Sequence, residues 1–159
     1  MTRTSTGHPL MPDFSNVLDN RRRNLRAVRA KDTRPEMLVR QALHRLGYRY
    51  RLHAKDLPGR PALVFTSRRI VVEVRGCFWH QHTECRRASL PKERAQWWAA
   101  KLTRNVERDQ ENEVALEAAG WCVVVVWECD LRQDPSEAIA RLKLSLGPPG
   151  HRNTTGNST

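Results

Sequence analysis

Gly76-Cys77-Phe78-Trp79-His80-Gln81-His82-Thr83-Glu84-Cys85 puts two thiols, two imidazoles and two large aromatic rings into ten residues, directly after the most strand-like run of the chain. Cys77, His82 and Cys85 stand at C-x4-H-x2-C spacing. Soft sulfur and borderline nitrogen donors at that spacing can converge on one zinc ion, which takes four of them in a tetrahedron. The loop supplies three. Cys129, in Trp127-Glu128-Cys129, follows a second apolar run and can close a Cys3His centre, whereas Cys122 lies inside that run and reads as a small core residue.

Working outward, the chain reads as one α/β domain. Upstream, Thr33-Arg34-Pro35-Glu36 fits a capping box, with Thr33 at the N-cap, Pro35 in the first turn and Glu36 reaching back. Leu38, Val39, Ala42, Leu43 and Leu46 then form an apolar stripe that Gly47 ends, which predicts a helix over 34–46. Tyr48, Tyr50 and Leu52 alternate with Arg49 and Arg51 as in a half-exposed strand. Residues 62–65 and 69–74 are expected to pair as a hairpin around Thr66-Ser67-Arg68.

Downstream of the loop, residues 93–119 are helical in composition but broken in pattern. Trp97, Trp98 and Leu102 face one way, and Val106, Val114, Leu116 and Ala119 take over later. The run from Trp121 to Trp127 has no polar face except Cys122, which predicts a strand in the middle of a sheet, covered on both sides. Asp134 or Ser136 caps a last helix that runs to about Leu146. The expected organisation is a flexible arm (1–15), one folded domain (16–146) and a disordered tail (147–159), the domain being an α/β sandwich around a mixed sheet.

At 159 residues the chain can bury a core without cross-links, so a zinc would organise one region rather than supply the whole fold. The formal net charge of +11, carried mostly by arginine, suits planar, bidentate contacts to phosphate and guanine, so a polyanion is the natural partner. Arg21, Arg22, Arg23, Arg26, Arg29, Lys31 and Arg34, interleaved with Leu25 and Val28, read as a basic segment lying on a nucleic-acid backbone. No apolar run approaches the length of a membrane span and no secretory h-region opens the chain, so the four cysteines are read as belonging to a reducing, cytoplasmic compartment.

Leu57-Pro58-Gly59-Arg60-Pro61, Gly76-Cys77-Phe78-Trp79-His80, Asn105-Val106-Glu107-Arg108-Asp109 and Trp127-Glu128-Cys129, in this order, resemble the very short patch repair (Vsr) DNA mismatch endonucleases. The resemblance runs from about Arg22 to Leu146. It implies a PD-(D/E)xK, restriction-endonuclease-like core with an added structural zinc. It also implies magnesium-dependent nicking of double-stranded DNA beside a T:G mismatch, by a monomer working in the bacterial cytoplasm at the nucleoid with other repair proteins.

Carried over position by position, the family's zinc ligands fall on Cys77, His82, Cys85 and Cys129. Its base-stacking wedge falls on Phe78 and Trp79, and its N-terminal apolar wedge on Leu25, flanked by Arg23 and Arg26. Its catalytic histidine falls on His80 and its helix-borne acidic residue on Glu36. Asn105 belongs to a segment near the active centre and is expected at the DNA, with the roles of Glu107, Arg108 and Asp109 not separable from salt bridges of a solvated helix.

One position departs from the family pattern. The family carries aspartate directly after Leu-Pro-Gly-x-Pro, and here that residue is Ala62. Magnesium wants hard oxygen ligands, and a methyl group offers none. Glu73-Val74-Arg75 stands at the second half of the PD-(D/E)xK signature, where the Glu73 carboxylate and the Val74 carbonyl are the oxygens left. Severely weakened metal binding and cleavage are expected. An alanine placed to trap uncut DNA, or a relative that binds mismatched or distorted DNA without cutting, would both look like this.

Overall fold

The structure is a computed structural model and describes residues 32–150. The expected arm, the basic segment with Arg23, Leu25 and Arg26, and the chain beyond Gly150 lie outside the described residues. Numbered within them, the elements are α1 (Arg34–Arg45), β1 (Arg51–Leu52), β2 (Leu63–Phe65), β3 (Ile70–Arg75), α2 (Ala95–Ala118), β4 (Cys122–Trp127), α3 (Glu128–Gln133) and α4 (Pro135–Leu146). The sheet order is β1-β2-β3-β4, antiparallel except between β3 and β4, so α2 is the crossover that joins two parallel neighbours.

Alternation along the strands sorts the core into two layers. Leu63, Phe65, Val72 and Val126 pack with Val39 and Leu43 of α1, Leu131 of α3 and Ile139 and Leu142 of α4. On the other face Val64 and Val71 meet Leu116 at the end of α2 and Trp121. The result is a mixed α/β sandwich, as the element order predicts.

The chain confirms the hairpin, whose registers are Leu63 on Val72 and Phe65 on Ile70, with a single 3-10 turn over Thr66–Arg68 between. Several expectations change. The strand expected at Tyr48–Leu52 pairs only over Arg51–Leu52, because the Tyr50 hydroxyl turns back to the Arg40 carbonyl of α1 at 2.6 Å. The β4 run is an edge strand, not a central one. Apolar residues on both faces say that helices cover both faces; they carry no information about which edge is paired. Cys122, expected in the core, is exposed at the start of that edge. Gly147 and Pro148, placed in the disordered tail, accept hydrogen bonds from the Tyr48 hydroxyl and the Arg68 guanidinium.

The α2 helix is continuous over 24 residues, and the apparent break has a physical reason. Trp98, Leu102, Asn105, Asp109, Asn112, Glu113 and Leu116 recur at helical spacing on one stripe. The middle of that stripe is polar because it faces a cavity and not the core. Val114, expected on the apolar face, is 66% exposed and belongs to the opposite side. At the last helix, Asp134 is the N-cap and accepts from the Glu137 amide at 3.1 Å.

Candidate functional site

The loop after β3 brings Cys77, His82 and Cys85 against Cys129 in the first turn of α3. Their donor atoms all lie within 4.8 Å of one another. Cys129 Sγ is 3.3 Å from His82 Nδ1. A tetrahedron with metal–sulfur and metal–nitrogen distances near 2.3 and 2.0 Å has edges of roughly 3.5–3.8 Å, so the four donors stand close to the spacing such an ion imposes. The His82 ring is held flat against Trp127, with centroids 4.1 Å apart and planes 11° off parallel, which aims its nitrogen at the cluster. Burial pushes the Cys77 thiol up to about 12 and raises that of Cys129, while the Arg87 backbone N–H lowers that of Cys85. Buried thiols are poor thiolates by themselves and good ones beside a cation. The donor set can hold a metal ion.

Beside the cluster lies a cavity of about 160 Å³, room for a hydrated ion or a phosphoryl group at about 30 Å³ per water. It is lined by Glu36 from α1, Ala62 just before β2, Glu73, Val74 and Arg75 of β3, His80 from the loop, and Asp109, Asn112 and Glu113 from α2. All five residues expected in the catalytic centre, Glu36, Ala62, Glu73, Val74 and His80, therefore meet in one place. Gly59 lets the wall close in. Its φ is +74°, and a Cβ there would stand 2.7 Å from the Asn112 amide nitrogen.

Two histidine–carboxylate pairs face this cavity. His80 Nδ1 lies 2.6 Å from Asp109 Oδ2; a carboxylate only accepts, so Nδ1 carries the hydrogen and Nε2 is left as an acceptor. His53 Nε2 lies 2.6 Å from Glu36 Oε1. Glu36 is 4% exposed, and Arg40 stands 3.8 Å from the same oxygen. Thr33 caps α1 through the Glu36 amide, but this carboxylate oxygen is turned inward to His53 and not back over the helix end. Arg75, buried, is bound at 2.6 Å to Glu113.

Burial raises Glu73 to about 7, against the opposing pull of Arg75 and with Asp109 adding to the rise. An acid raised in the fold favours the protonated native state, so its contribution to stability is complete below about 4.5 and is lost as pH rises through about 7. At about 1.4 kcal/mol per pH unit the loss is on the order of 3 kcal/mol. Glu73→Gln is therefore expected to melt close to the parent temperature at pH 4 and several degrees higher at pH 8. Equal melting at both pH values would refute the assignment.

Phe78 and Trp79 are half-buried on an aromatic cluster with Trp98, the ring centroids lying 5.1–6.0 Å apart. Asn105 donates to the Trp79 carbonyl at 3.2 Å, so in the free protein it holds the aromatic loop in place.

Sequence comparison then bears on what this arrangement belongs to. The family described as DNA mismatch endonuclease Vsr matches residues 15–87. The type II nicking enzyme V.XorIIP of Xanthomonas oryzae pv. oryzae is 52% identical over 130 residues, 82% of this chain and 94% of that protein. The chain belongs to the Vsr family. Other Vsr-family relatives are the type II nicking enzyme V.NmeAIP of Neisseria meningitidis, 42% identical over 74% of this chain and 81% of its own length, and the DNA mismatch endonuclease Vsr of Escherichia coli, 39% identical over 70% of this chain and 71% of its own length. Among the described residues no helix is long and apolar enough to cross a membrane.

The residues carried over from the Vsr resemblance gather at one cavity, and the structure adds neighbours that the resemblance does not single out. Asp109 carried no distinguishable role, although its spacing from Asn105 and Asn112 on one helix face is visible. Trp127 belongs to a strand and to the Trp127-Glu128-Cys129 segment of the resemblance, and its stacking on His82 is an added role. His53 was not singled out at all, because a lone histidine between a short strand and a turn has no local signature.

Proposed function

We propose that this chain is built as a DNA nicking endonuclease acting at T:G mismatches in double-stranded DNA, with a PD-(D/E)xK-type core and a structural zinc. The observation that carries this reading is the convergence of Glu36, Ala62, Glu73, Val74 and His80 on one cavity next to the Cys3His cluster. Zinc on Cys77, His82, Cys85 and Cys129 would cross-link the loop to α3. That cross-link fixes the backbone on both sides of His80, which lies between two of the ligands. Phe78 and Trp79 are then presented to a base step, where a mispaired base resists unstacking less than a paired one. The basic segment with Arg23 and Arg26 would lie along the DNA backbone, with Leu25 as a second apolar wedge. The protein works as a monomer with a folded domain over 16–146, in the cytoplasm, alongside other repair proteins.

Magnesium does not suit the cavity as it stands. The buried methyl of Ala62 occupies the position of the family's aspartate, Glu36 is engaged with His53 and Arg40, and burial holds Glu73 towards its neutral form. In this chain the chemistry left to the side chains is proton transfer. His80 Nε2 can take a proton from water, with Asp109 fixing the ring. Cleavage is accordingly weak or absent here.

The same methyl favours a second reading, a module that binds mismatched DNA without cutting it. Both readings predict that the chain binds a T:G duplex more tightly than its T:A counterpart, by about tenfold, with affinity falling steeply as salt rises. Fluorescence anisotropy of the two duplexes over a salt series measures this. Equal affinity for both would remove mismatch recognition from the account, and the response to Ala62→Asp separates the enzyme from the module.

A further inference from the structure

The second histidine–carboxylate pair of the cavity has no part in the reaction described so far. His53 follows β1 with a φ of +44°, in the left-handed region that few side-chain-bearing residues occupy. Its backbone N–H donates to the Ala62 carbonyl at 3.2 Å, which ties it to the position where the metal-binding carboxylate is missing. Its ring is 23% exposed, lines the same cavity as His80 and meets the buried Glu36 at 2.6 Å.

Asp32, Glu36 and His53 also place their donor atoms within 4.8 Å of one another. Arg40 already supplies the positive charge there, 2.6 Å from Asp32 and 3.8 Å from Glu36. The group is thus a held imidazole and not a cation site. A carboxylate only accepts, so Nε2 carries the hydrogen towards Glu36. Nδ1 is the nitrogen left for a substrate, and it carries the proton to be donated in the imidazolium form, whose charge the Glu36 and Asp32 carboxylates counter.

We propose that His53 is a second catalytic histidine: positioned by Glu36, it donates a proton to the sugar oxygen that leaves phosphorus, while His80, positioned by Asp109, removes a proton from the attacking water. The inference rests on the endonuclease reading and adds a route for it that needs no divalent cation. The water oxygen forms the new bond to phosphorus and its proton goes to His80 Nε2. The bond from phosphorus to the sugar oxygen breaks, its electron pair stays on that oxygen, and the proton from His53 neutralises it. His53 is left neutral and His80 protonated, and exchange with solvent restores both. His53 thus takes over leaving-group stabilisation that a metal bound at position 62 would otherwise provide.

The test is nicking of a T:G duplex at enzyme excess, without added divalent cation, by the chain and by His53→Gln. Glutamine keeps an N–H for Glu36 but cannot transfer a proton, so a merely positioning role survives the change. His53→Gln is expected to bind the duplex as the parent does and to nick it about 100-fold more slowly, the range typical of a lost general acid. Replacing the leaving oxygen with bridging sulfur, tried at both the 3′ and the 5′ side, removes the need for a proton. On that substrate the parent and the variant are expected to nick at equal rates.

No nicking by the Ala62 chain, a variant within about threefold of it, or a deficit that sulfur leaves unchanged would each overturn the proposal. The endonuclease reading is decided separately. If Ala62→Asp nicks with magnesium and the Ala62 chain does not nick at all, the role of His53 falls and the endonuclease stands.

Discussion

With zinc on the Cys3His cluster as proposed, Cys129→Ala is expected to release the metal and to lower the melting temperature by about 10 °C while most helix content remains. The four donors tie the loop after β3 to α3, and the Cys77 side chain is fully buried. Without a cation the buried thiols stay protonated and the loop loses its cross-link. Structural zinc contributes on the order of 10 kcal/mol in small finger domains that have little else. Here the two apolar layers on either face of the sheet persist without it. The loss is therefore expected near 3 kcal/mol, which at about 2–4 °C per kcal/mol for a domain of this size gives the stated shift. Cys122→Ala is the control, since Cys122 is exposed at the far end of β4. Metal content by elemental analysis and melting by circular dichroism check both. A Cys129→Ala protein that keeps one zinc per chain would remove Cys129 from the ligand set.

Ala62→Asp is expected to raise magnesium-dependent nicking by about 100-fold or more, equivalent to about 2.7 kcal/mol of barrier and within what a metal ion supplies to a phosphoryl centre. Ala62 packs with the core layer under α1 and also lines the cavity, so a carboxylate there borders that space. It would stand in the wall shared with Glu36 and Glu73 and supply the hard oxygen that the alanine lacks. In the absence of metal an added buried charge destabilises the fold by a few kcal/mol. Magnesium should then raise the melting temperature of Ala62→Asp and leave that of the parent unchanged, because only the variant gains a ligand-linked term. A variant that neither nicks nor responds thermally to magnesium would favour the non-catalytic binding module.

Much of the site was legible in the sequence because its residues fall where local rules are strict. The C-x4-H-x2-C spacing leaves few geometries for a chain that must close on one ion, and Cys129 lies at the start of the element following β4, where the parallel β3–β4 pair presents its end. The hairpin was legible through two apolar runs around Thr66-Ser67-Arg68, and the helix over 34–45 through its cap and stripe. What stayed hidden depends on partners distant in the chain. Asp109, Asn112 and Glu113 look like a break in an amphipathic helix until the cavity that they face is known. The edge position of β4 cannot be read from face burial. Pairing of His53 with Glu36 requires a short strand to return across the end of α1, and nothing within a few residues of either announces it.

The central claim is that this cavity is a mismatch-nicking centre lacking one carboxylate. Its most direct test uses Ala62→Asp with magnesium on T:G and T:A duplexes labelled separately on each strand. The account predicts a single nick in one strand of the T:G duplex, none in the T:A duplex, and loss of that nick when His80→Gln is added. Cutting of both duplexes alike, cutting of both strands, or an undiminished nick with His80→Gln would contradict it.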